Sequence, residues 1–157
     1  MRNKIFLALV FPTLLLFGCK NKNKENSVVD ISKEGFVRDL KCRINTAQDT
    51  KSIGDEYYKI ETENNFVVLN ITFTNQGNSE VHLYSEMINY CRGESKYQPR
   101  QVGIYDDKWF NFDLEIAAGL TKTRNFAFEI PSNFMSTDYL DIKWDLYHSE
   151  TLKIYLS

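Results

Sequence analysis

Apolar and polar residues alternate with a period of two along most of the chain. Leu40, Cys42 and Ile44 alternate with Lys41 and Arg43, and Val67, Leu69, Ile71 and Phe73 with Val68, Asn70 and Thr72. From Lys122 to Ile130 the pattern puts Phe126, Phe128 and Ile130 on one face. Leu140, Ile142, Trp144 and Leu146 alternate with Asp141, Lys143 and Asp145, and Leu152, Ile154 and Leu156 close the series. Successive side chains of a strand point to opposite faces, so this is the signature of half-buried antiparallel strands. Turn residues separate the runs: Asn75-Gln76-Gly77-Asn78, Arg92-Gly93-Glu94-Ser95, Ala118-Gly119, Pro131-Ser132-Asn133 and His148-Ser149-Glu150. No stretch after residue 30 carries a helical stripe. Short strands at regular spacing with little helix predict an all-β sandwich or barrel.

The N-terminus follows a different pattern. Arg2 and Lys4 precede a 13-residue apolar run, Ile5 to Phe17. A membrane-spanning helix needs about 20 residues, and Pro12 costs a continuous helix about 3 kcal/mol. A basic start and a short apolar run are the secretory pattern. Leu16, Gly18 and Cys19 resemble the Leu-x-Gly-Cys end of a bacterial lipoprotein signal, although Phe17 is bulkier than usual there. That resemblance implies cleavage before Cys19, a diacylglycerol on its sulfur, and a lipid-anchored envelope protein; the alternative is an ordinary export signal with an incidental cysteine. Lys20 is not the aspartate linked to inner-membrane retention, so the outer membrane is favoured in a Gram-negative cell. Residues 20–26 are polar and locally basic, too poor in apolar groups to order themselves. The expected organisation is a signal over 1–18, a lipidated terminus and tether over 19–35, and one domain over 36–157.

Charge narrows the partner classes. The chain has 19 basic and 21 acidic residues, and removing Arg2 and Lys4 leaves 17 − 21 = −4. Arg92, Lys96 and Arg100 are the one local basic cluster, broken by Glu94. A nucleic-acid binder should show a concentrated basic face, so nucleic acid is not an expected partner. Beyond Cys19 the cysteines are Cys42 and Cys91. In an oxidising compartment such a pair is expected to form a disulfide, worth roughly 4 kcal/mol for a loop of this length. Two free thiols or a metal site are the alternatives.

Several motifs resemble telokin-like immunoglobulin-like domains over about residues 38–156. They are an aliphatic strand ending in Thr74-Asn75 with a turn before Val81-His82-Leu83, the Gly93 to Tyr97 step, Ala118-Gly119-Leu120-Thr121, and Phe126 to Pro131. The resemblance implies an immunoglobulin-like antiparallel β-sandwich and supplies no catalytic residues. The stretch from Arg100 to Asn111, with Tyr105, Trp109 and Phe110, is richer in aromatics than that pattern.

Candidate chemistry is sparse. No Gly-x-Ser-x-Gly elbow places a nucleophile, and His82 and His148 are isolated in sequence. Asp106, Asp107, Asp113 and Glu115 could form a carboxylate pair or a calcium site but lack a recognised loop spacing. Neither catalytic residues, metal nor cofactor is expected. Tyr84 and Tyr90 share the phase of His82, opposite Leu83 and Met87, and Tyr105, Trp109 and Phe110 cluster in the insert. Tyr and Trp offer rigid contact area at low entropic cost. The expectation is therefore a non-enzymatic binding or interaction module. It would be held to a membrane through Cys19 and would use Tyr105, Trp109 and Phe110 on a protein or glycan partner. The alternative is an inhibitor or immunity-type lipoprotein that neutralises a toxin or hydrolase.

Overall fold

In the computed structural model, which describes residues 28–103, 107–147 and 149–157, the period-two pattern sorts the chain into antiparallel sheets. The first sheet joins β1 (Val28–Val37), β2 (Leu40–Gly54), β3 (Lys59–Asn75) and β8 (Thr121–Ile130) in the order β1-β2-β3-β8. The second joins β5 (Ile88–Arg92), β6 (Ser95–Tyr97), β9 (Tyr139–Lys143) and β10 (Thr151–Tyr155) in the order β10-β9-β5-β6. A two-stranded pair, β4 (Val81–Tyr84) and β7 (Asp113–Ile116), completes the architecture. The protein is an antiparallel β-sandwich. Among the described residues no helix is long and apolar enough to cross a membrane.

One face of each sheet supplies a common core. Leu40, Ile44, Leu69, Ile71, Phe73 and Phe126 from the first sheet are buried with Ile88, Tyr90, Leu140 and Ile142 from the second. Val81, Leu83, Leu114 and Ile116 add the inward face of the small pair. Each such side chain contributes about 1.5–3 kcal/mol on burial. Phe73 packs edge-on against Phe126 at 5.8 Å.

Three local features redirect this alternation. After Ile44↔Ile71 the next pair is Thr46↔Asn70, so Asn45 is an extra residue in β2. The bulge turns Asn45 outward, where its amide donates to Asn70 Oδ1 at 2.8 Å and Thr72 Oγ1 at 2.9 Å. A 3-10 turn at Ser85–Met87 separates β4 from β5 and resets the phase. Tyr90, expected on the same exposed face as His82 and Tyr84, is therefore fully buried. β1 also begins earlier than expected. Residues 28–35, assigned to the tether, form most of this strand, where only Ile31 and Val37 are buried.

Among the described residues, the buried polar side-chain atoms are partnered except Asp141 Oδ1. Asn75 ends β3, and its amide donates to Ser79 O at 2.7 Å and Ile116 O at 2.9 Å while Oδ1 accepts from Gly77 N. The side chain thus ties the turn after β3 to the end of β7. Asp138, with no exposed surface, accepts from the Tyr90 hydroxyl, from Arg92 Nε at 3.0 Å, and from Met135 N at 2.8 Å. Arg92 spans further, to Ser132 Oγ and Asn133 O, both at 2.7 Å. Burial works against the Asp138 charge, but hydrogen bonds from Arg92 and Tyr90 outweigh it and hold the carboxyl below its usual range.

Candidate functional site

The segment between β6 and β7 runs along the outer edge of β8. Arg100 N donates to Ala127 O at 2.7 Å, Phe110 N to Asn125 O at 2.9 Å, and Asn125 N to Lys108 O at 2.7 Å. These bonds occupy donors and acceptors that an edge strand would otherwise present to solvent. They also fix the orientation of two neighbouring aromatics. Phe110 turns inward and stacks on Phe126 with centroids 4.5 Å apart and planes at 18°. It is 1% exposed. Phe110 is thus a core residue rather than part of a recognition surface, which corrects the expectation from its sequence neighbours. Trp109 points the other way, onto the outer face of the first sheet, and packs half-buried against a satellite cluster of Ile53, Phe66, Val102 and Ala127. Tyr105, the third aromatic of the expected group, lies outside the described residues, as does the expected lipidation site Cys19.

Trp109 forms a wall between two open clefts. The smaller, about 340 Å³, is lined by Trp109 together with Thr46, Gln48, Thr50, Asn70 and Asn125, and by Val28 at its end. The larger, about 520 Å³, runs from Trp109 past Gln101, Asn111 and Phe112 to Glu115, Lys122 and Arg124. Amides and hydroxyls on this face are organised into ladders. Asn70 donates from Nδ2 to Asn125 Oδ1 at 2.7 Å, Thr72 pairs with Thr123 at 2.8 Å, and Thr74 with Thr121 at 2.9 Å. The ladders restrict each side chain's rotamers, so the surface next to Trp109 is pre-organised rather than floppy. The bulge at Asn45 makes this possible, because it brings Thr46, Gln48 and Thr50 to the Trp109 side.

Other candidate chemistry is distributed differently. His82 is exposed, with Nε2 2.5 Å from Glu80 Oε1, and is bonded to no serine or cysteine among the described residues. His148 lies outside the described residues. Asp106 does too, while Asp107, Asp113 and Glu115 line the larger cleft. Cys42 and Cys91 are buried free thiols, so the expected disulfide is not formed. Alternation explains why. Cys42 lies on the inward face of β2 with Leu40 and Ile44, whereas Cys91 lies one residue past the inward-facing Tyr90 and so faces the outer side of the other sheet. Burial pushes the Cys42 thiol well above its ordinary pKa, the reverse of what a nucleophile needs.

The family model described as "Domain of unknown function (DUF4352)" matches residues 29–148. The chain belongs to this family. The DUF4352 match opens inside β1 and closes before β10, in agreement with an ordered domain that starts earlier than residue 36. No curated protein matches the chain. Solved structures share the fold at low identity. The yjhA protein of Bacillus subtilis aligns with a TM-score of 0.55 at 10% identity, covering 74% of this chain and 81% of that one. A functionally unknown protein of Listeria monocytogenes gives 0.54 at 10% identity, over 83% and 87% of the two chains. The ycdA protein of Bacillus subtilis, described as a "putative lipoprotein", gives 0.52 at 14% identity, covering 80% of this chain and 38% of the longer one.

Proposed function

We propose that this DUF4352 domain is a non-enzymatic binding module of the cell envelope, a telokin-like immunoglobulin-like sandwich anchored by a lipid on Cys19. Its ligand is an oligosaccharide laid against Trp109. The observation that carries this reading is the half-buried indole shared by two clefts, the smaller lined largely by amides and hydroxyls and the larger by amides and charged side chains. A sugar ring presents an apolar C–H face and a rim of hydroxyls. An indole matches the first, and Asn, Gln and Thr match the second as combined donors and acceptors. Both clefts fall within the size range of ordinary ligand sites. The two basic and three acidic side chains of the larger cleft, Lys122 and Arg124 against Asp107, Asp113 and Glu115, suit a polar chain of low net charge better than a polyanion. The envelope location rests on the lipoprotein-like start of the sequence, and the description of the ycdA protein supports it.

A soluble form covering residues 28–157, titrated with envelope glycan fragments, tests the reading through indole fluorescence. The expected result is a saturable change that Trp109→Ala abolishes, with at least a tenfold loss of affinity read by calorimetry. Retained affinity in Trp109→Ala would remove the site. Capture of a cationic toxin or hydrolase without any glycan binding would select the inhibitor function instead.

A further inference from the structure

The outward face of the small β4–β7 pair carries a group of side chains of which the glycan reading uses only the cleft-lining Asp113 and Glu115. Antiparallel register places His82 opposite Glu115 and Tyr84 opposite Asp113. Directly opposed residues on one face have Cβ atoms about 4.5–5.5 Å apart. Glu80, just before β4, reaches back so that its Oε1 lies 2.5 Å from His82 Nε2. One ligand atom from each of Glu80, His82 and Glu115 thus lies within 4.8 Å of the others, and all three residues are exposed. Among the described residues, no lysine or arginine forms an ion pair with Glu80 or Glu115. Two carboxylates therefore converge on an imidazole without a cationic side chain bonded to either. The Tyr84 ring stacks on His82, with centroids 6.3 Å apart and planes at 13°, and restrains the imidazole plane.

We infer that Glu80, His82 and Glu115 form a three-ligand site for a divalent transition cation, zinc foremost. Zinc takes imidazole nitrogen and carboxylate oxygen at about 2.0–2.2 Å in tetrahedral geometry, which sets donors roughly 3.4 Å apart. Closing from 4.8 Å to that spacing needs rotation of exposed glutamate side chains only, because the ladder between β4 and β7 already fixes the backbone beneath them. The imidazole sets the class of ion. Calcium and magnesium ask for six or more oxygen ligands or a retained water shell, whereas imidazole with carboxylate suits zinc and its neighbours in the transition series. Three protein ligands leave a fourth position for water or an incoming oxygen. Glu115 also lines the larger cleft, so the ion stands at the rim of that cleft. The inference is independent of the glycan reading, since it uses neither Trp109 nor the amide ladders.

The test is calorimetric titration of zinc chloride into the purified, metal-stripped protein, with magnesium and calcium chloride as comparators. Cobalt supplies an independent readout, because a tetrahedral site gives intense visible absorption bands. The expected result is one equivalent of zinc per chain, with affinity lowered at least about tenfold in each of His82→Gln, Glu80→Gln and Glu115→Gln. All three positions are exposed, and circular dichroism should confirm that each variant keeps the β-sheet spectrum. His148→Gln should bind zinc as the parent does. Zinc binding unchanged in His82→Gln and Glu115→Gln, binding that tracks His148 instead, or magnesium binding as tightly as zinc would each overturn the assignment.

Discussion

Asp138→Ala should be among the most costly single substitutions in the domain. The carboxylate is fully buried and accepts from Tyr90, Arg92 and the Met135 amide, so its removal leaves several buried donors without their acceptor. Breaking a buried ion pair by deleting one partner costs about 3–5 kcal/mol. Arg92 moderates the loss, because its side chain is 17% exposed and retains Ser132 and Asn133 as acceptors. The lower end of the range, about 3 kcal/mol, is therefore expected. That is a large part of the 5–15 kcal/mol typical of a domain. At a urea m-value of about 2 kcal/mol/M it lowers the midpoint by about 1.5 M with m unchanged. The acid limb gives a second check through Asp138→Asn. The folded carboxyl titrates below its usual range, so its stabilisation is present above the unfolded value of about 3.9 and is lost as pH falls through the lower folded value. The gap between wild type and Asp138→Asn should stay level from pH 7 to about 5 and close below about 4. A midpoint shift under about 0.4 M at pH 7, or a gap that widens in acid, would refute this account of the network.

Two other outcomes separate core from surface. Phe110→Ala should destabilise by about 3–5 kcal/mol, because it empties a stacked site between the sheets; a loss of ligand affinity at unchanged stability would return Phe110 to the recognition surface. In residues 28–157, Cys42 and Cys91 should resist alkylation in the native state and both react in denaturant without reductant. Fewer than two labelled thiols in denaturant would show a disulfide.

Strands were legible wherever one face is buried and the other wet. β3, β8 and β9 follow the alternation read from Val67 to Phe73, Phe126 to Ile130 and Leu140 to Ile142. Asn75 was legible too, since a Thr-Asn pair at a strand end marked the turn that its side chain organises. β1 was not, because an edge strand with two buried residues carries almost no period-two signal. Tyr90 lies on the face opposite to the one its sequence phase indicates, because a three-residue 3-10 turn shifts phase without leaving a hydrophobic trace. Phe110 and Trp109 are adjacent in sequence and opposite in role, and only pairing with β8 decides which faces inward. Trp109 was found from composition. Its polar surroundings on β2, β3 and β8 come together only across the sheet. Glu80 gave no signal, since nothing in the sequence pairs β4 with β7.

Val28, the first described residue of β1, is itself part of the cleft that Trp109 walls. Only eight residues lie between it and Cys19, and the nine Cα–Cα steps, fully extended, reach about 30 Å. With Cys19 acylated, the cleft is leashed to the bilayer at a distance comparable to the membrane's own thickness. On the proposed reading, a glycan rooted in the same surface would meet the cleft at the effective concentration set by a short tether, on the order of millimolar. Weak contacts suffice under that confinement, and a free sugar of the same chemistry, lacking it, would compete poorly.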